Sequence, residues 1–265
     1  MSGTGNDFVV IDNRKKIVAN ELKHDFVRRI CTPKSSIGAD GVIFVENSNT
    51  ADFRWDFYNA DGSSAEMCGN GCRCVALYAH EHQIAGRTMV FETIAGVISA
   101  EVKGDSVKVH MTSPIDFRQD LELSLDGQPV RVDYLNTGVP HAIVYCDDVE
   151  TQDLKTIGST LRYHSVFAPT GANVNFVQTI DRKTLKIRTY ERGVEGETLA
   201  CGTGAVASAI LAGRKGLVTP PVAVKIANGE TLKIYFDGTP SNGSFGEVFL
   251  EGPAVTTFEG TIHDS

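Results

Sequence analysis

The chain repeats itself at a fixed offset of 133 residues, the distance that separates Cys68 from Cys201. Turn glycines recur easily in unrelated segments, but they seldom recur in register with a cysteine. The repeat therefore predicts two homologous halves rather than one domain with shared turn chemistry. Four motifs carry it: Thr4-Gly5 with Thr137-Gly138, Gly38-Ala39 with Gly171-Ala172, Cys68-Gly69-x-Gly71 with Cys201-Gly202-x-Gly204, and Gly96 with Gly229.

The pattern of short β-rich runs and helices in both halves is typical of an α+β fold. We expect two pseudo-symmetric domains, each an antiparallel sheet wrapped around a buried central helix. The boundary is expected between Pro114 and Asn136, where the segment 116–128 is polar and has a turn signal at Asp126-Gly127. This gives an N-terminal domain of residues 1–116, which the last residues of the chain can join, and a C-terminal domain of residues 117–265. An insertion near Pro240–Gly246 breaks the repeat register.

The element pattern is similar in the two halves. The predicted helices are Asn20–Ile30 and Asp153–Tyr163, together with a buried helix from Cys72 that Gly86 can end and one over Ala205–Leu211 that Gly216 stops. The predicted strands include Asp7–Asp12, Val42–Glu46, Phe53–Tyr58, Met89–Thr93, Val97–Val102, Val107–Met111, Ala142–Cys146, Val174–Thr179, Lys186–Tyr190, Val222–Ile226, Thr231–Phe236 and Glu247–Glu251.

Composition and charge argue against several classes of function. The net charge of −8 repels nucleic acids and anionic membranes, so neither is an expected partner. No run of about 18 apolar residues is available to span a bilayer, and no apolar stretch of the secretory type follows the start of the chain. The 6 cysteines are too unevenly placed for a disulfide framework. We therefore expect a cytoplasmic location, where the thiols stay reduced.

Each repeated cysteine stands before a glycine-rich turn that opens the buried helix of its half. The first N–H groups of a helix lack internal partners and carry partial positive charge, which favours a thiolate over a thiol. The glycines allow the backbone to approach an anion closely. Each half therefore offers one activated sulfur, Cys68 or Cys201, and one anion-binding turn.

Two such thiols suit the inversion of an α-amino acid. A thiolate on one face can remove the Cα proton while a thiol on the other face returns one. Helix N–H donors can hold the substrate carboxylate, on which negative charge builds as the carbanion forms. The pair would share one proton. The chemistry predicted from the residues is that of a racemase or epimerase.

Other uses of the cysteines stay open at this point. Each could be a small buried hydrophobe at a tight turn, or the pair could form the reversible disulfide of a thiol-redox protein. Metal binding is disfavoured, because the spacing is C-x3-C-x-C and the other half has Ala205 and Ala207 instead of cysteines. The residues that such a metal site would use are Cys68, Cys72 and Cys74 with His80 and His82.

The motifs together resemble the diaminopimelate epimerase family, in the family's order, from about residue 3 to about residue 260. The pair Cys-Gly-Asn-Gly and Cys-Gly-Thr-Gly is specific: related proline racemases usually carry His where Asn70 stands, and the phenazine-type isomerases lack the cysteine pair. The matching segments are Gly3–Phe8, Phe57–Gly62, Met67–Arg73, Gly138–His141, Asn173–Phe176, Tyr190–Gly193 and Ala200–Gly204.

The resemblance implies an isomerase that interconverts LL- and meso-2,6-diaminopimelate for lysine and peptidoglycan synthesis, without pyridoxal phosphate or any other cofactor and without metal. It implies that Cys68 and Cys201 are the acid and base, and that His141 and Glu191 tune them. It also implies a homodimer. The substrate-binding residues it implies are Gly69, Asn70, Gly202 and Thr203 for the reacting carboxylate, and Asn6, Asn59, Asn173, Glu191 and Arg192 for the distal end.

The chemistry of these side chains agrees, because an Asn amide can both donate and accept and an Arg can grip a carboxylate with two bonds. Plainer roles stay open: the three Asn residues as turn residues, Glu191-Arg192 as a surface ion pair, and His141 as a loop histidine. A proline- or hydroxyproline-type racemase on the same fold also stays open.

Two positions depart from the family pattern. Many members have Gln where this chain has Gly41, and Asn where it has Val139, and both are substrate contacts. Fewer polar side chains are therefore expected at the distal end, and Asn136 is one candidate replacement.

Overall fold

The structure, a computed structural model, describes residues 1–125, 127–237 and 245–262. The chain divides into two compact units, one of Met1–Val109 with Gly252–Ser265 and one of His110–Glu251. Both ends of the chain therefore belong to the first unit, and the segment 116–128 belongs to the second. The domain limits expected from the sequence, 1–116 and 117–265, stay a prediction. No helix in the described ranges is long and apolar enough to cross a membrane.

The first unit is built on strands that pair in chain order, from β1 to β7. A short 3₁₀ turn, Asn20–Leu22, precedes the first helix. The strands are β1 (Ser2–Gly3), β2 (Asn6–Asp12), β3 (Gly41–Glu46), β4 (Phe53–Asn59), β5 (Thr88–Thr93), β6 (Gly96–Lys103) and β7 (Ser106–His110), and the helices are α1 (Lys23–Cys31) and α2 (Gly69–Glu81).

The second unit has a similar plan, with an added hairpin at one end. Its strands pair in the order β16-β15-β14-β12-β11-β10-β9-β8, and β13 pairs with β12. Single helical turns lie at Val149–Thr151, Leu154–Gly158 and Ser165–Phe167. The strands are β8 (Ile115–Leu125), β9 (Gln128–Asn136), β10 (Pro140–Tyr145), β11 (Asn173–Asp181), β12 (Thr184–Glu191), β13 (Gly196–Thr198), β14 (Val222–Lys225), β15 (Thr231–Phe236) and β16 (Val248–Pro253), and the helices are α3 (Ser159–Arg162) and α4 (Gly202–Arg214).

The α+β class is confirmed, but the sheets are mixed and not antiparallel throughout. Strand β2 runs parallel to β3, and β4 to β5, in the first unit. In the second unit β10 runs parallel to β11, and β12 to β14. A helix or a run of helical turns lies between the two strands of each parallel pair. Parallel strands cannot be joined by a tight turn, so these helical crossovers make the parallel pairing feasible.

The buried central helix predicted for each half is present. Helices α2 and α4 each span 13 residues and begin at Gly69 and Gly202, so they keep the offset of the repeat. Residues 204–213 of α4 are all buried. Gly216 follows the end of α4 at φ +71°, a left-handed conformation that favours glycine. Helix α2 ends at Glu81, before the glycine expected to stop it.

The segment 116–128 lies in a hairpin. Strands β8 and β9 pair antiparallel, from Ile115 opposite Asn136 to Leu125 opposite Gln128. Leu121, Leu123 and Leu125 alternate along β8 and pack on the core. This period of two, rather than the mean polarity, was the informative signal. Gly127 has φ +81°, as a turn there requires, whereas Asp126 and residues 240–244 lie outside the described residues.

Candidate active site

The first helix start consists of Cys68 and the turn Gly69-Asn70-Gly71 that opens α2. Cys68 is the N-cap, with extended backbone angles, and its Sγ accepts the Gly71 N–H at 3.5 Å. The first intrahelical bond runs from the Cys72 N–H to the Cys68 carbonyl oxygen. The amides before it have no partner in a preceding turn, so they present partial positive charge around the sulfur.

Asn70 is buried and oriented by the guanidinium of Arg73, one turn along α2. Its Oδ1 accepts from Arg73 Nη2 at 2.7 Å and from Thr4 Oγ1 at 3.1 Å. Its Nδ2 donates to Asn6 Oδ1 at 2.8 Å, and Asn6 Nδ2 donates to Asp40 Oδ2 at 3.0 Å. The structure therefore brings together two of the predicted residues, Asn6 and Asn70.

Asn59 is the last residue of β4 and lies at the same end of the sheet as Asn6. It lies opposite Gly41 in the β3–β4 register, and Gly41 in turn lies opposite Phe8 of β2. Asn59 is exposed and donates to Ser63 Oγ at 3.0 Å. Its neighbours in the sheet place Asn59 near Asp40 and Asn6, without a direct hydrogen bond to either among the described contacts.

Gly41 has a steric reason to lack a side chain. A Cβ there would lie 2.6 Å from the Tyr58 carbonyl oxygen and 2.7 Å from the Phe57 ring. A Gln therefore does not fit this backbone, which explains the departure noted in the sequence.

The second helix start consists of Cys201 and the turn Gly202-Thr203-Gly204 that opens α4. Cys201 is the N-cap and is only 7% exposed. Its Sγ lies 3.5 Å from Thr203 Oγ1. The first intrahelical bond runs from the Ala205 N–H to the Cys201 carbonyl oxygen, so the same set of amides is available as in the first half.

His141 is fully buried beside this turn. Its Nε2 lies 2.9 Å from Thr203 Oγ1, and its Nδ1 lies 3.0 Å from Asn175 Nδ2. Burial, with a smaller effect of the positive charge of Arg192, lowers the pKa of His141 to about 3. The imidazole is therefore neutral at ordinary pH. His141 lies in strand β10, so the alternative of a satisfied loop histidine is wrong.

The predicted residues Asn173, Glu191 and Arg192 gather at the same end of the second unit's sheet. Asn173 lies opposite His141 in the β10–β11 register, and its Oδ1 accepts the Arg192 backbone N–H at 2.7 Å. Arg192 Nη1 donates to the Thr170 carbonyl oxygen at 3.4 Å, and Glu191 accepts from Thr198 at 2.7 Å.

Asn136, the candidate replacement for the polar contacts missing at Gly41 and Val139, forms a hydrogen bond within its own turn. Its Oδ1 accepts the Gly138 N–H at 3.0 Å. A role for Asn136 at the distal end stays a prediction.

The other cysteines of α2 are packing residues. Cys72 and Cys74 are fully buried, and burial raises the pKa of both thiols, that of Cys74 to about 12. They therefore stay protonated and differ in kind from an N-cap sulfur. Within the described ranges, no group of three His, Cys, Asp or Glu side chains is arranged to hold a metal ion.

Several residues of both helix starts were not foreseen as site residues. Thr4 and Thr137 were noticed only as repeated turn residues, yet each hydroxyl binds the first turn of its helix, at Asn70 and at the Thr203 carbonyl oxygen. Their recurrence was the available signal. The remaining ones that sequence reasoning missed are Asp40, Arg73, Asn175 and Thr189.

Comparison with known proteins places the chain in a family. A family model described as diaminopimelate epimerase matches residues 1–116 and 134–256. The diaminopimelate epimerase of Aquifex aeolicus is 46% identical over 275 residues, which cover 100% of this chain and 96% of that protein.

Solved structures with the same fold have lower identities. A phenazine biosynthesis protein of the PhzF family from Bacillus anthracis has a TM-score of 0.69 at 15% identity, over 95% of both chains. A hydroxyproline epimerase from Agrobacterium vitis has a TM-score of 0.65 at 17% identity, over 89% of this chain and 79% of that one. At such identities the likeness concerns the fold alone.

Proposed function

The chain belongs to the diaminopimelate epimerase family, and we propose that it is an isomerase that interconverts LL- and meso-2,6-diaminopimelate. The observation that carries the proposal is the repeated placement of a cysteine as the N-cap of a buried helix, at Cys68 and Cys201. Both sulfurs stand beside helix amides that favour a thiolate. The hydroxyproline epimerase shares the fold only, so it does not favour the rival substrate.

The proposed step removes one proton from one face of the substrate carbon and adds one proton to the opposite face. A thiolate on one cysteine accepts the Cα proton and becomes a thiol, and the electron pair of the broken C–H bond stays on the substrate. The thiol of the other cysteine then donates its proton to the opposite face, where that pair forms the new C–H bond, and becomes a thiolate. The reaction needs no oxidant, metal or cofactor, and it requires both sulfurs to reach one carbon.

The substrate carboxylates are assigned to two kinds of group. The amides of Gly69-Asn70 and Gly202-Thr203 are proposed to bind the reacting carboxylate, where negative charge builds. Support comes from the first intrahelical bonds, which start only at Cys72 and Ala205. The distal ammonium and carboxylate are assigned to Asn6, Asn59, Asn173, Glu191 and Arg192.

Exchange of the substrate α-hydrogen tests the reaction. Purified protein in deuterated water is offered LL-diaminopimelate and, separately, proline and hydroxyproline. We expect deuterium at the reacting Cα of diaminopimelate, and meso product. Exchange of the proline derivatives alone would assign the rival racemase, and exchange of no substrate would remove the enzyme from this class.

The two cysteines are tested by Cys68→Ser and Cys201→Ser. Each change removes the acid or base of one face, so we expect the turnover number to fall by about 10²–10⁴-fold or more in both variants. Cys146→Ser is the matched control, because this half-buried thiol follows the end of β10 that is remote from His141 and should leave turnover unchanged. If either active-site variant keeps most of its turnover, the two-base assignment is wrong.

A thiol-redox protein would behave differently. Diamide, an oxidant that takes up two electrons and two protons, would form a disulfide from both thiols, and dithiothreitol would reverse it. For an epimerase we expect exchange activity to be lost and regained in parallel. A reversible disulfide in a protein that never exchanges diaminopimelate would favour the redox function.

The cytoplasm is the proposed location, because both cysteines must stay reduced. A homodimer is proposed from the family resemblance, and light scattering during gel filtration tests it. A monomer of 28.6 kDa at working concentration would contradict it.

A further inference from the structure

A continuous run of hydrogen bonds leads from Thr189 on β12 to the sulfur of Cys201. We infer that Asn175 and Thr189 are positioning residues that hold His141 in its Nε2–H tautomer, so that Thr203 directs its hydroxyl proton to the Cys201 sulfur. The catalytic meaning of this relay rests on the proposed function, whereas its proton arrangement does not.

The orientation of the Asn175 amide is decided by its neighbours. Asn175 Nδ2 lies 3.4 Å from the carbonyl oxygen of Ala142, which can only accept. Asn175 Oδ1 lies 2.9 Å from Thr189 Oγ1, its partner across the β11–β12 pair, and accepts from it. A flipped amide would set two oxygens against each other at Ala142, so the Nδ2 must face the carbonyl.

This orientation determines the tautomer of His141. The same Nδ2 lies 3.0 Å from His141 Nδ1, so that ring nitrogen accepts and carries no proton. The buried ring is neutral, since burial and the charge of Arg192 both lower its pKa. A neutral imidazole has one N–H, which is therefore on Nε2 and points to Thr203 Oγ1 at 2.9 Å.

Thr203 then has its own proton to give. Its oxygen accepts from His141, and the Cys201 sulfur lies 3.5 Å away, within the range of a hydrogen bond to sulfur. A donated hydroxyl proton favours the thiolate over the thiol. The donor matters here because Cys201 is only 7% exposed, and burial alone would favour the thiol.

Gly204 gives independent steric support. A Cβ on Gly204 would collide with Asn175 Oδ1 and would lie 3.2 Å from the Cys201 sulfur. The Asn175 amide fits beside the helix start because Gly204 has no side chain. At the matching positions of the first half stand Phe8, Val42 and Asp56, so the imidazole and the amide of the relay belong to the second half of the sequence.

Alkylation of the intact protein by iodoacetamide across about pH 6 to 10 tests the relay, with mass spectrometry of the Cys201 and Cys68 peptides. We expect Thr203→Val to raise the pH midpoint at Cys201 by about one unit, a tenfold loss of thiolate, because a hydrogen bond to a charged group is lost. Thr203→Ser keeps the hydroxyl and should keep the midpoint. Cys68 is the internal control and should not change.

The two positioning residues should move the same midpoint by less. Asn175→Ala and Thr189→Val free the imidazole to exchange tautomers, so we expect a smaller rise at Cys201 in both. An unchanged midpoint in Thr203→Val overturns the relay. If Thr203→Val does not fold, the Cys201 midpoint in Thr189→Val and the tautomer of His141 test the relay instead.

The tautomer is read from ¹⁵N-labelled histidine by two-bond proton correlation. We expect an Nε2–H pattern for His141, recognised because its shifts stay constant between pH 8 and 5. An Nδ1–H pattern overturns the inference whatever the variants do. Neither measurement uses a substrate: if diaminopimelate exchange fails while the midpoint shifts, the proposed function is wrong and the relay stands.

Discussion

The starts of α2 and α4 share one sequence register but are supported by different chemistry. In the first unit a buried guanidinium, Arg73, binds Asn70 and Thr4 and orients the turn. In the second unit a neutral imidazole, His141, binds Thr203 instead. The repeat thus preserves the backbone turn and its cysteine, whereas the side chains that hold the turn have diverged.

This difference suits the proposed reaction. A two-base inversion uses one thiolate and one thiol at a time, and two sulfurs in unlike surroundings need not share their proton equally. Thr4 and Thr137 have the same role at the two starts, because each hydroxyl connects the repeated Thr-Gly turn to the helix start. Substitutions at matching positions of the two starts should therefore have unequal effects.

Substitutions of Arg73 and of Val206, which stands at the matching position of the second half, should differ most in their effect on stability. We expect Arg73→Met to cost about 3–5 kcal/mol of unfolding free energy, because it removes the charged donor of three buried hydrogen bonds, to Thr4, Asn70 and Gly69. Val206→Ala should cost only about 2 kcal/mol, since it removes apolar contact alone. Urea unfolding, followed by circular dichroism, measures both. A smaller cost at Arg73 than at Val206 would show that the buried network does not stabilise the first unit.

Alanine at the second glycine of each motif, Gly204 or Gly71, should give the next largest difference in stability. We expect Gly204→Ala to cost about 1–3 kcal/mol, because the new Cβ meets the Asn175 amide. At Gly71 the nearest atoms are side-chain carbons of Ile43 and Trp55 at 3.3 Å, and the helix preference of alanine offsets part of the crowding. Thermal unfolding compares the two variants. Adding Asn175→Ala should rescue Gly204→Ala in part, and equal effects at both glycines would refute the steric argument.

The buried imidazole should make the second unit sensitive to acid. The folded pKa of His141, about 3, lies below the unfolded value near 6.5, so the unfolded chain binds the extra proton between these values. Its contribution is complete above about pH 6.5 and falls by about 1.4 kcal/mol per pH unit below it. Urea unfolding at pH 7 and 5.5 should show this loss, and His141→Gln should remove it. The same slope in the variant would assign the loss to other groups.

Substitutions of Thr4 and Thr137 should give the smallest difference in stability. Thr4 both accepts from Arg73 and donates to Asn70, whereas Thr137 donates to the Thr203 carbonyl oxygen. We expect Thr4→Val to cost about 2 kcal/mol and Thr137→Val about 1 kcal/mol. Differential scanning fluorimetry ranks the two variants, with Thr→Ser at each position as the control that keeps the hydroxyl. A larger cost for Thr137→Val than for Thr4→Val would mean that the threonine hydrogen bond of the second unit is the stronger one.

Much of the fold could be predicted because its elements have strong local patterns. The strand Thr231–Phe236 has the predicted limits, and α4 ends where its basic last turn and Gly216 indicate. The β8–β9 hairpin was missed because mean polarity was given more weight than the alternation of its leucines. The parallel pairs were missed because period and turn signals describe one strand at a time and carry no information about its partner.

The candidate site could be predicted only at residues that the repeat or the family motifs mark. Arg73 lies in an apolar helix, where an arginine is ordinarily expected to reach solvent, yet it is fully buried. Asn175 and Thr189 lie in strands that alternate like core strands, and nothing local distinguishes a polar residue that has a partner from one that does not.

The amino-acid sequence is enough to predict two related halves, a capped helix in each, and a cysteine at both caps, because caps and periodicity depend on residues close together in the chain. The side chains that surround each sulfur depend on the tertiary structure. Hydrogen bonds are short and directional, and those around Cys201 join β10, β11, β12 and α4, which are far apart in sequence. The tautomer of one buried imidazole is therefore a property of the packed strands, not of any segment of the chain.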